Sequence, residues 1–154
     1  MVMYRRCVLV TILFATTSSA ILALSEKQPC PIVEAKVTDP RFRPGQVWTY
    51  TTKPNEPSST LTILQIDRME KVGIVHIRLD SLPIHNPRGE LVSTVDHLLF
   101  TRNAMLTSTK HLIRTEKQIP DLEGYDQWHH DCGGVYTISI RDAVDVMEKT
   151  LNSP

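Results

Sequence analysis

Between residues 47 and 100 the chain carries four runs in the two-residue rhythm of β-strands, each closed by turn-forming residues. Val47 to Thr52 (VWTYTT), Thr60 to Ile66 (TLTILQI), Val72 to Leu79 (VGIVHIRL) and Leu91 to Phe100 (LVSTVDHLLF) are rich in β-branched and aromatic side chains. KPNEPSS (53–59), the pair Glu70-Lys71 and HNPRGE (85–90) separate them. Short runs joined by short polar turns make an antiparallel meander.

The period then changes. Thr101 can cap a helix running from Arg102 to Arg114, in which Met105 and Leu106 recur one heptad later as Leu112 and Ile113. Further on, Ile140, Ala143, Val144, Met147 and Leu151 form one apolar stripe at helical spacing. Ser139 fits the N-cap of that helix, and Asp142 resembles the acid of a capping box. Residues 116–134 are polar and Gly-punctuated, and read as a loop with a helical turn near Tyr125 to His129. Strands first and helices later predict an α+β domain: a four-stranded antiparallel meander with two helices packed on one face.

Turn positions give an expected register. A tight turn at Glu70-Lys71 sets Val75 opposite Ile66, Ile77 opposite Leu64 and Leu79 opposite Thr62. The 53–58 turn sets Trp48 near Ile63 and Tyr50 near Leu61, and a hairpin at Pro87-Arg88 brings His97 near Arg78. One face then holds Val47, Leu64, Ile66, Val75, Ile77, Leu79, Leu98 and Phe100, and the helices should cover it. The other holds Trp48, Tyr50, Leu61, Ile63, Ile74, His76, Arg78, Val95 and His97. Trp, Tyr and Arg dominate binding hot spots, so Trp48, Tyr50, His76, Arg78 and His97 are the candidate binding residues. The competing reading makes Trp48 and Tyr50 part of a second, smaller core.

The N-terminus bears on location. Arg5 and Arg6 precede an apolar run from Val8 to Leu24, broken by Thr16, Thr17, Ser18 and Ser19, and Ala23 and Ser25 are small. That layout predicts a secretory signal peptide over residues 1–25. The rival is an uncleaved anchor, the one route to a membrane, but the run is short of the ~20 apolar residues a span needs. Residues 26–44, with Pro29, Pro31, Pro40 and Pro44, read as an extended arm or linker, and 45–154 as one domain. Of the 17 Lys+Arg and 17 Asp+Glu, cleavage would remove Arg5 and Arg6 alone, leaving a net charge of about −2. Nothing resembles the basic face a nucleic-acid partner requires.

QWHHDCGG (127–134) gathers the chain's most reactive side chains. Cys7 leaves with the signal, so Cys30 and Cys132 remain as an even pair expected to form a disulfide in an oxidising compartment. A zinc site would need ligands the chain lacks at the usual spacing. A Cys132 nucleophile would need a base from elsewhere in the fold. Asp121, Glu123, Asp126 and Asp131 could supply paired carboxylates, but nothing in the sequence fixes their separation. Gly133-Gly134 fits a turn before Val135. No cofactor fingerprint and no metal motif is present in the sequence.

FRPGQVWTYTTKPNEPSSTLTILQI and the terminal VYTISIRDAVDVMEKTL resemble a family of small bacterial proteins with no assigned activity, over roughly residues 42–152. The resemblance implies a compact single domain and no catalytic residues.

The first expectation is therefore an exported, non-enzymatic binding protein of the bacterial cell envelope, for example of inhibitor or immunity type, whose partner is an envelope protein or glycan. A small secreted hydrolase using the 121–132 loop, with His130 and Asp131, is the alternative. A purely structural envelope protein is the third.

Overall fold

The computed structural model describes residues 30–153, so the expected signal segment 1–25 lies outside the described residues. In chain order the elements are β1 (Val33–Glu34), β2 (Gln46–Tyr50), β3 (Thr60–Met69), β4 (Val72–His85), β5 (Leu91–Thr101), α1 (Arg102–Ser108), β6 (Thr109–Thr115), α2 (Tyr125–His130) and α3 (Ile140–Leu151). The class is α+β with an antiparallel sheet. The described residues hold six strands and three helices, where the sequence pattern predicts four and two. The sheet runs β5-β4-β3-β2-β6, and β1 pairs with the end of β3, Val33 against Met69.

One extra strand comes from the segment expected to be a single helix over 102–114. Thr101 does cap α1, its hydroxyl accepting the Ala104 N–H at 3.3 Å. The helix then stops at Ser108, and Thr109 is extended, its hydroxyl donating to the Met105 carbonyl at 2.8 Å. The open edge of β2 accepts the rest of the segment as β6, with Trp48 opposite Leu112 and Tyr50 opposite Thr109. The heptad recurrence of Leu112 and Ile113 is thus not a helical stripe. Sheet pairing overrides a weak local periodicity in a segment containing Thr109, Ile113 and Thr115.

The terminal helix forms as its stripe predicts. Ser139 caps it, accepting the Asp142 N–H at 3.2 Å and donating to the Asp142 carboxylate at 2.7 Å. Its Ile140, Ala143 and Val144 are fully buried. They meet Ala104 and Met105 of α1 over a sheet face built from Trp48, Tyr50, Leu61, Ile63, Ile66, Val75, Ile77, Leu79, Leu98 and Phe100.

That face differs from the expected one by a bulge. Ile66 does pair with Val75, but the register shifts between Ile63 and Gln65, so Ile63 pairs with Ile77 and Leu61 with Leu79. Leu64 is the extra residue, and every side chain N-terminal to it in β3 changes face relative to the simple alternation. Trp48 pairs with Leu61, not Ile63, and follows it onto the helix-covered face. Phe42, within the expected arm, is also fully buried there and meets the Trp48 ring edge-on at 5.8 Å.

Candidate functional site

On the opposite face a buried polar chain crosses three strands. Asp67 of β3 and His76 of β4 are both completely shielded from solvent. His76 Nε2 lies 3.2 Å from Asp67 Oδ2, close enough for an ion pair but too poorly aligned for a hydrogen bond. The other ring nitrogen, Nδ1, sits 2.9 Å from Nε2 of His97 on β5, and the two rings stack at 5.2 Å and 11°. Alternation along β3, β4 and β5 points all three side chains the same way.

Asp67 is the acceptor hub. It takes the Lys36 backbone N–H at 2.8 Å, the Gln65 amide at 2.9 and 3.1 Å, and the Tyr125 hydroxyl at 3.0 Å. Burial alone would raise its carboxyl, but His76, the Lys36 amide and Tyr125 together hold it below the ordinary 3.8. Burial and the Asp67 charge push the Tyr125 phenol up to about 12, which keeps it a donor. His97 is lowered from its ordinary value, first by burial and then by His76.

Helix α2 forms the lid of this chain. Its first residue follows Gly124, whose φ of 72° is a left-handed conformation that costs glycine little. Tyr125 and Trp128 pack on His76 with ring centres 5.5 and 5.6 Å away. Trp128 lies flat enough on the chain after it that a Cβ on Gly133 would come within 2.1 Å of the indole. Gly133 is therefore required for a close approach, beyond the turn its sequence context suggests. Trp128 Nε1 donates to the Gly134 carbonyl at 3.2 Å.

Behind α2 the two cysteines meet. The sulfurs of Cys30 and Cys132 are at bonding distance, with Cα atoms 5.1 Å apart, inside the range a disulfide requires. The expected pair is thus brought together. It fastens the segment before β1 to the segment after α2. The arm is docked rather than loose: besides β1, the Val37 N–H bonds the Ile66 carbonyl at 2.8 Å.

Between this docked segment and α2 runs an open groove of about 590 Å³. Ala35 and Lys36 line one wall, Gln65 the floor, and Leu122 with Gly124 to Gln127 the other wall. The Gln65 Nε2 is committed to Asp67 and the Gln127 Nε2 to Asp131, so each amide keeps its oxygen as an acceptor.

The predicted binding residues separate. His76 and His97 come together as the register implies. Arg78 lies one step along β4, bonded to Asp80 at 2.9 Å and Asp96 at 3.2 Å. Trp48 and Tyr50 do not join them, because the Leu64 bulge carries both to the other side of the sheet, 8 % and 2 % exposed. The role shared by five residues on one surface is corrected on that point. Of the 121–132 loop, Asp126 lines the groove, Asp131 holds Gln127, His129 and His130 are exposed, and Cys132 is committed to Cys30.

Sequence reading missed Asp67, Gln65, Tyr125 and Lys36. Asp67 had a signal: a lone acid continuing the strand pattern past Ile66, across a hairpin from a histidine. Lys36 had none, since it enters through its backbone. Among the described residues no three His, Cys, Asp or Glu side chains gather as a metal-ligand set, and no helix is long and apolar enough to cross a membrane. In the comparisons with known proteins, no family model, no curated protein and no solved structure matches the chain.

Proposed function

We propose that the protein is an exported, non-enzymatic binding protein of the bacterial cell envelope, and that a glycan segment occupies the groove beside α2. The carrying observation is the set of polar groups that converge on the groove. The Gln65 and Gln127 amide oxygens and the Asp126 carboxylate are acceptors, Lys36 supplies one cation, and Tyr125 supplies an aromatic ring. A ligand rich in hydroxyl and amide donors complements that lining, which is the chemistry of an acetamido sugar. The cysteine pair at disulfide distance and the charged, apolar and small-residue zones of segment 1–25 support export.

Rigidity favours binding over catalysis as the role of the network beneath. His97 spends Nε2 on His76, and its Nδ1 faces the Glu123-Gly124 backbone. The Nε2 is thereby withheld from any substrate. The chain of buried polar groups instead fixes α2, and with it the groove wall.

The test is calorimetric titration with soluble peptidoglycan fragments. Wild type should release heat with saturation, and Asp126→Ala and Gln127→Ala, both exposed, should lose it while keeping their melting temperature. Absence of binding by wild type sinks the glycan reading. Stoichiometric capture of one envelope protein, lost in the same variants, would favour the inhibitor type instead.

A further inference from the structure

The contact between His76 and His97 holds one proton. Two ring nitrogens 2.9 Å apart need a proton between them, and a second has nowhere to sit. We infer that this pair is an acid-sensitive latch: doubly protonating it breaks the His76–His97 contact, loosens α2 from the sheet and takes down the wall of the groove. The loss of ligand in acid rests on the binding role proposed above; the latch itself does not.

The groups around the pair set its balance. From β3, Asp67 supplies the one compensating charge, and it is already engaged by four other contacts from three groups. From β4, Arg78 adds positive charge on the same face, drawn off toward Asp80 and Asp96 of β4 and β5. The 122–124 loop offers the Glu123 backbone to His97, while the Glu123 side chain acts on Arg78. From α2 come the Tyr125 hydroxyl, which stays neutral, and His129, stacked on the outer side of Tyr125 at 6.2 Å. The docked arm contributes a backbone N–H from Lys36. No second carboxylate in this set faces the pair to offset a second imidazolium.

The sign follows from the surroundings. His97 is held below its ordinary 6.5 by burial and by His76, so the closed form binds fewer protons than an open one. Closure is favoured above about 6.5 and is lost as pH falls through the lowered value. Asp67 would contribute a loss of the same sign only below its ordinary 3.8, so mildly acid conditions report His97. What yields is α2 and not the core. None of its residues is buried, and it is held by Tyr125, Trp128 and the disulfide. The Cys30–Cys132 bond keeps the opened segment tethered, so the change is reversible.

The chain's two indoles allow the test within one spectrum. Trp128 Nε1–H bonds the Gly134 carbonyl beside α2, and Trp48 Nε1–H bonds Gln46 Oε1 on the far side of the sheet, each at 3.2 Å. Indole hydrogen exchange by NMR, taken as the Trp128-to-Trp48 protection ratio, cancels the intrinsic pH dependence. Between pH 7.5 and 5 the ratio should fall at least tenfold in the intact protein. In His97→Gln, or in His97→Phe if the first variant folds poorly, it should stay flat. An unchanged ratio in wild type, an equal fall in both variants, or parallel loss at both indoles overturns the latch. Titration with peptidoglycan fragments at both pH values separates the two claims. A falling ratio with no binding at either pH retains the latch and discards the glycan role. Binding with equal affinity at both pH values and a flat ratio does the reverse.

Discussion

Replacing Asp67 with alanine should cost about 3 kcal/mol of folding stability, the upper end for taking a charged acceptor away from the donors that converge on it. The figure comes from where each partner is left. Lys36 is exposed and Gln65 and Tyr125 are half-buried, so water can replace most of what their N–H and O–H groups lose. His76 has no exposed surface, and its Nε2, already without a hydrogen bond, would also lose the Asp67 carboxylate 3.2 Å away. An orphaned buried polar group costs ~1–3 kcal/mol by itself, and charge raises that. Against a total of ~5–15 kcal/mol for a domain, the variant should unfold at a clearly lower urea midpoint with an unchanged slope. Asp67→Asn, which keeps one acceptor oxygen, should lose about half as much. Tyr125→Phe should cost ~1 kcal/mol alone and nothing further in the Asp67→Ala background, because the hydroxyl then has no partner. An Asp67→Ala loss below ~1 kcal/mol, or strict additivity with Tyr125→Phe, would refute the account of Asp67 as the hub.

Trp48→Ala should destabilise by ~3–5 kcal/mol, visible as a lower melting temperature, because Trp48 fills the core under the helices. If Trp48 served an exposed binding surface, its melt would be unchanged. Arg78→Ala, at a half-exposed pair of salt bridges, should shift stability by no more than ~1 kcal/mol in the same assay. The Cys30→Ser/Cys132→Ser variant opens a closure spanning 102 residues and should lose up to ~4 kcal/mol, and in the oxidised wild type thiol titration should find neither Cys30 nor Cys132 free. Gly133→Ala should displace the Trp128 indole and raise its accessibility to a soluble quencher, leaving far-ultraviolet circular dichroism unaltered.

Strand positions and the terminal helix were legible because each depends on local pattern. The stripe from Ile140 to Leu151 repeats over three turns, and Ser139 marks its start. The hairpin between β3 and β4 was legible because a two-residue link leaves little choice, and Glu70 takes the left-handed conformation it needs. Two features were not. β6 depends on the vacant edge of β2, which no window around Thr109 contains. The Leu64 bulge leaves no mark in TLTILQI, since Leu64 and Ile63 are equally apolar and either phase buries a leucine or isoleucine. That single ambiguity moved Trp48 and Tyr50 across the sheet. It left the His76–His97 pairing intact, because that pairing depends on β4 and β5 alone.

The cysteine closure also dictates an order of events. Cys30 lies just ahead of β1, and its partner comes 102 residues later, after every strand. As the chain is synthesised, Cys30 must therefore wait for its partner while the whole sheet emerges. Sealing the ring becomes a late step in folding, and the groove wall acquires its final shape only then. Whatever closes this ring acts on a chain that already extends to Cys132, not on a shorter emerging one.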